Sequence, residues 1–164
     1  MNPLKLLLTT ALLCAISTYT YAQDDELTVR NNKGVDISIA KSDVSESCGR
    51  VVYLMLTQSA KYKRNTRRLR KALNKELDLP KTLNKEIAVR FLVNCEGAAS
   101  GFVTSKNIDP AQAKLVTQAF DKIQGWKPGI RRNKPTDMEI ILLVEFKNGQ
   151  VDRISRINPK ALSL

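Results

Sequence analysis

The spacing of apolar residues changes several times along the chain, and each change marks an element. Ile87, Val89, Phe91 and Val93 alternate with Ala88, Arg90 and Leu92, a period of two that predicts a strand with one apolar face. Asn94-Cys95-Glu96-Gly97 reads as a turn in which Gly97 supplies the positive φ of a tight reversal, and Phe102-Val103-Thr104 carries the return strand. Asp109-Pro110-Ala111-Gln112 predicts a helix start, with Asp as N-cap, Pro at the first helical position and Gln three after the cap. Val116, Ala119, Phe120 and Ile123 give that helix its apolar face, and Gly125 ends it. After Trp126-Lys127-Pro128-Gly129 and a basic loop, Arg131-Arg132-Asn133-Lys134-Pro135, a long strand is predicted from Thr136 to Phe146. Its Met138, Ile140, Leu142, Val144 and Phe146 face one way, while Asp137, Glu139, Ile141, Leu143 and Glu145 face the other. Asn148-Gly149 closes it, and Val151, Ile154 and Ile157 form an apolar-periodic tail to which the pattern assigns no role.

Upstream, the period is helical from Asn65 to Leu79. Leu69, Ala72, Leu73 and Leu77 share a face, Arg67, Arg68, Arg70, Lys71 and Lys75 lie largely elsewhere, and Pro80 stops the helix. Leu27 to Ile39 alternate loosely around Asn31-Asn32-Lys33-Gly34, which predicts a strand or hairpin arm. Val51 to Leu56 is a short apolar run that reads as a buried strand, though periodicity does not separate it from a helix turn.

Connectivity then constrains the sheet. A strand–turn–strand–helix–strand unit brings the last strand back antiparallel to the first, giving the order second, first, third with the last strand at an edge. An edge strand presents unpaired N–H and C=O groups that an extended peptide, or a second copy of the chain, can use. Outward Ile141 and Leu143 would be ill suited to a fully solvated face.

The N-terminus sets the compartment. Lys5 precedes an apolar run from Leu6 to Ile16, then a small and polar stretch ending at Ala22, the pattern of a secretory signal peptide cleaved before Gln23. The run is about half of the ~20 residues a spanning helix needs, so a retained anchor is the lesser reading. A lipoprotein reading through Cys14 is weaker, because bulky Leu13 precedes it. Cleavage leaves Cys48 and Cys95, which in an exported chain predict a disulfide closing a loop of about 47 residues, worth about 4 kcal/mol in the loop-entropy picture. Two buried free thiols are the alternative.

Composition narrows the chemistry. The chain has 164 residues, a net charge of +11 and no histidine, which removes triad bases, most zinc sites and imidazole haem ligation. No metal or cofactor is expected. Carboxylates Asp137, Glu139 and Glu145 lie along one strand, but no nucleophile or phosphate loop accompanies them, so an enzyme is not expected. The positive charge would point to nucleic acid in a cytosolic protein; in an exported one it points to anionic envelope surfaces or proteins. It is concentrated at Lys61, Lys63, Arg64, Arg67, Arg68, Arg70, Lys71 and Lys75, with no acidic residue among them, and at Arg131 and Arg132. That stretch is either a solvated helix face or a docking surface for an acidic partner or anionic headgroups.

Taken together, the strand Ile87 to Val93, the turn Glu96-Gly97, the helix Asp109 to Ile123, the stretch Trp126-Lys127-Pro128-Gly129, the loop to Pro135 and the strand ending at Phe146 resemble the TonB C-terminal domain. The preceding basic helix resembles the segment that often leads into that domain. The most specific part is Trp-Lys-Pro-Gly between helix and last strand, and the resemblance covers about half of the chain, from Asn65 to Phe146.

The resemblance implies an α+β periplasmic domain, a three-stranded antiparallel sheet packed by two helices, here with an extra N-terminal strand region. It divides the chain into a signal peptide (1–22), an N-terminal extension with one or two strands (23–60), a TonB-C-like domain (61–150) and a tail (151–164). It also implies that the last strand, through Thr136, Met138, Glu139, Ile141, Leu143 and Glu145, pairs with a peptide of an envelope protein such as an outer-membrane transporter. Trp126, Lys127, Pro128 and Gly129 would shape the approach, although Trp126 equally suits a filler between helix and sheet. A full energy transducer of this kind carries a membrane anchor with a histidine and a Pro-rich spacer. This chain has no histidine and no such spacer, so the expected function is an exported protein-binding module; the alternative is a basic protein attached to anionic lipid or cell-wall polymer.

Overall fold

The structure is a computed structural model that describes residues 58–157, together with the backbone of 26–30 and 36–40. The expectations placed on the signal peptide, on Cys48 and on Val51 to Leu56 lie outside the described residues. The N-terminal arm is a pair of strands, β1 (Glu26–Arg30) and β2 (Asp36–Ala40), joined antiparallel with Leu27 opposite Ile39.

From residue 58 the order is β3 (Lys61–Tyr62), α1 (Thr66–Glu76), β4 (Glu86–Val93), β5 (Ala99–Thr104), α2 (Pro110–Asp121), β6 (Trp126–Lys127), β7 (Gly129–Arg131), β8 (Lys134–Thr136), β9 (Met138–Lys147) and β10 (Gln150–Arg156). The architecture is α+β, with two helices and several antiparallel sheets among the described residues. Both helices start as their sequences require. The Asn65 side chain accepts from Arg68 N–H at 2.8 Å, and Asp109 accepts from Ala111 N–H at 2.9 Å ahead of Pro110. α2 ends at Asp121, two residues earlier than the apolar pattern predicts.

The main sheet has four strands in the order β10-β9-β4-β5, where three were expected. The order second, first, third holds for β5, β4 and β9. The expected edge position of β9 does not, because β10 pairs along its other side from Lys147–Gln150 to Leu142–Arg156. The tail beginning at 151 is therefore largely a strand. Asn148 (φ 51°) and Gly149 (φ 74°) form the two-residue turn that makes this hairpin. Gly149 is required there, since a Cβ would stand 2.5 Å from the Leu79 carbonyl oxygen.

One face of the sheet carries the principal core. Leu69 and Leu73 of α1 and Val116, Ala119 and Phe120 of α2 pack on Ile87, Val89, Phe91, Val93, Met138, Ile140, Leu142, Val144 and Phe146. α1 lies along β10 and α2 over β5. The opposite face is not solvated either: Ala88, Ile141, Leu143 and Ile157 form a second buried cluster. The one apolar face expected of β4 is thus two buried faces, and the unsuitability of Ile141 and Leu143 for water is resolved by burying them.

Candidate functional site

The expected partner-binding strand is largely buried and, from Leu142 to Glu145, paired on both sides. Met138, Ile141 and Leu143 are buried, and Glu139 is buried in a two-bond pair with Arg90, whose Nη2 donates to Oε2 at 2.9 Å. Glu145, partly buried, stands 3.9 Å from both Lys147 and Arg153. Thr136 belongs to β8 and pairs with Gly129. From Leu142 to Glu145 the main chain of β9 lies between β4 and β10, so no peptide can pair there without expelling one of them.

The edge has moved to β10, and its two halves differ. In the first half α1 substitutes for a neighbouring strand. Asn74 Nδ2 donates to the Val151 carbonyl (3.1 Å), the Val151 N–H donates to Asn74 Oδ1 (2.7 Å), and Arg70 Nη1 donates to the Asp152 carbonyl (2.6 Å). In the second half the register is read from Ile157, whose N–H donates to the Ile141 carbonyl of β9 at 3.1 Å. Antiparallel alternation then turns Ser155 toward β9 and the N–H and C=O of Ile154 and Arg156 outward. Among the described residues no partner takes up these outward groups.

A mostly apolar cleft of about 90 Å³ lies against this open half. Ile154, Ser155 and Arg156 form one wall, Ala60, Lys61, Tyr62 and Thr66 form the other, and Leu69, Trp126, Ile140 and Leu142 reach it from the core. Tyr62 and Trp126 meet edge to face with centroids 5.5 Å apart, and Trp126 packs on Phe91 at 4.8 Å. The structure thus gives Trp126 the filling role between helix and sheet while also placing it at the cleft. Its Nε1 is buried with no acceptor among the described residues, a cost of about 1–3 kcal/mol.

Local chemistry explains how the Trp126–Gly129 stretch reaches this position. β6 pairs with β3, setting Lys127 opposite Lys61 and Trp126 opposite Tyr62. Gly97 permits the close approach beneath, since at φ 86° a Cβ would lie 2.7 Å from the Trp126 carbonyl oxygen. The expected basic loop is a hairpin, β7 with β8, closed by Arg132 (φ 48°) and Asn133 (φ 63°). Ile130 N–H donates to the Gln58 carbonyl at 2.8 Å and ties that hairpin to the other cleft wall.

A second, larger cleft of about 670 Å³ adjoins the first and shares Lys61 and Arg156 with it. Lys127 and Pro128 complete its basic end. Arg156 is exposed along its stem, but its guanidinium reaches in to donate to the Ala60 carbonyl at 2.6 Å, and this partial burial lowers its pKa from the ordinary value. At the far end of β10, the hydrogen bond from Lys147 Nζ to Asp152 (2.7 Å) raises the lysine pKa and lowers that of the carboxyl.

Of the basic residues singled out by sequence, Lys63, Arg64, Arg67, Arg68, Lys71 and Lys75 are exposed as expected, and so are Arg131 and Arg132. Arg70 is not part of that surface, being spent on β10. Asp137 is buried and accepts from the Cys95 N–H at 2.8 Å, tying the β4–β5 turn to the start of β9. No group of three or more Cys, Asp or Glu among the described residues is placed to hold a metal, and no described helix is long and apolar enough to cross a membrane.

Sequence reasoning missed Asn74, Ile154 and Arg156. The available signal was Asn148-Gly149, a strong hairpin turn that asks for a strand after it as well as before it. No family model, no curated protein and no solved structure matches the chain.

Proposed function

We propose that this chain is an exported, periplasmic protein-binding module of TonB C-terminal type, and that it takes up an extended segment of an envelope protein at the open half of β10. The observation that carries the reading is the outward pair of main-chain groups on each of Ile154 and Arg156, bordering a cleft lined by Leu69, Trp126 and Tyr62. Main-chain pairing supplies affinity and the cleft selects one side chain. The β5-β4-β9 order, the helix ending before Trp126-Lys127-Pro128-Gly129 and the two helices on one face support the TonB-like arrangement; β10 is an addition to it, and it displaces the pairing site by one strand. The module is a binder rather than a catalyst in this reading.

The test compares Arg156→Pro with Arg156→Ala. Proline removes an N–H that faces away from β9, so the β9–β10 ladder survives while strand addition is blocked. Partner capture should be abolished by proline and only weakened by alanine, which keeps the N–H; equal capture by both variants would exclude pairing at this edge.

The alternative, attachment to anionic lipid or cell-wall polymer, is favoured by the exposed outer face of α1, where Arg67, Arg68, Lys71 and Lys75 stand in water and the first turn holds no acidic residue. Charge-driven attachment weakens steeply with salt, whereas strand addition persists.

A further inference from the structure

The two basic segments that are far apart in sequence converge at one place. Pairing of β3 with β6, and of Gln58 with Ile130, lays residues 58–65 beside residues 126–134. These segments contain Lys61, Lys63, Arg64, Lys127, Arg131, Arg132 and Lys134 and not one Asp or Glu. Lys61 and Lys127 stand directly opposite each other, a like-charge cross-strand pair that disfavours the very pairing it decorates. Arg156 joins them on the rim of the larger cleft, and none of the described residues that line it is a carboxylate. Three cations from three strands around that cleft, at a cost to the sheet that holds them, are complementary to a negative ligand.

We propose that the segment taken up at β10 is acidic: an extended peptide with a carboxylate side chain seated among Lys61, Lys127 and Arg156. This rests on the strand-addition reading and adds the chemistry of the partner. Arg156 makes the connection, because its outward main-chain groups belong to the pairing edge while its side chain lines both clefts. A residue paired beside Arg156 therefore delivers its own or its neighbour's side chain to the cationic rim. The charge of an arriving carboxylate offsets the desolvation that lowers the Arg156 pKa. A bilayer surface fits less well. The large exposed apolar side chain among the described residues is Leu115 on α2, which packs over β5 at the opposite edge of the sheet from the cleft, so no large exposed apolar side chain among them stands at the basic end to enter a membrane.

The experiment uses the full mature chain and two fluorescein-labelled Thr/Val peptides that differ only in carrying Asp-Asp or Asn-Asn at the centre. Anisotropy titrations compare the native protein with the exposed-site variant Lys61→Gln/Lys127→Gln and with Arg156→Gln; vesicles of phosphatidylcholine with one quarter phosphatidylglycerol form a third arm. The Asp peptide should bind the native protein about tenfold more tightly than the Asn peptide, the equivalent of one good charge interaction, and the lysine pair variant should bring the two peptides to equal affinity. Equal affinities on the native protein would overturn the acidic preference and leave strand addition standing. A preference that survives both variants would place the carboxylate elsewhere and overturn the proposal. Failure of both peptides to bind, with vesicle binding that depends on Lys61 and Lys127, would overturn the strand-addition reading and this inference with it.

Discussion

The carboxamide of Asn74 holds both main-chain groups of Val151, donating to the carbonyl at 3.1 Å and accepting from the N–H at 2.7 Å. One side chain of α1 thus does for the start of β10 what a fifth strand would do. With Arg70 on the Asp152 carbonyl, it closes half of an edge that would otherwise be open along its length. The other half stays open, and the proposed binding site is defined by where this capping stops.

Asn74→Ala should lower stability by about 1–3 kcal/mol, since Val151 is buried and both of its polar groups lose their partner. Urea unfolding should show a lower midpoint at unchanged slope. The lengthened edge should also raise self-association in sedimentation runs. An unchanged midpoint would mean that water replaces the carboxamide without loss.

The Arg90–Glu139 pair lies on the second buried face of the sheet, beside Ile141 and Leu143. Removing one partner leaves a charge with little water around it, so Glu139→Leu alone should cost about 3–5 kcal/mol. Arg90→Met/Glu139→Leu should recover most of that loss. A double-mutant cycle by urea unfolding measures the coupling, and additive losses would show that the two residues act independently.

Cys95 and Cys48, the latter outside the described residues, are expected from the sequence to form a disulfide. Periplasmic protein should run faster on a non-reducing gel than after reduction, and Cys48→Ser and Cys95→Ser should each abolish the difference. A mobility shift that persists in Cys48→Ser would assign another partner.

Much of the principal core was legible because β4 and β9 alternate cleanly and Asp109-Pro110 announces α2. β10 was not, for a physical reason. Val151 opposes Phe146 and Arg153 opposes Glu145, so Asp152 is an extra residue, a bulge. The bulge puts Val151 and Ile154 on the same core face three positions apart, which erases the period of two that reveals strands. Glu139 was assigned to a partner for a different reason: polar on an otherwise apolar strand, it suggests a position open to pairing until Arg90 is placed diagonally beside it. The basic cluster was visible only as two separate runs, since a two-residue pairing such as β3 with β6 leaves no periodic trace.

Amide hydrogen exchange at Ile154 and Arg156 tests the central claim most directly. In the free protein these two N–H groups should exchange quickly, while those of Ser155 and Ile157, turned toward β9, exchange slowly. A saturating acidic Thr/Val peptide should protect Ile154 and Arg156 and leave the amides of β4 and β5 unchanged. Binding of that peptide without new protection at Ile154 and Arg156 would contradict strand addition at β10.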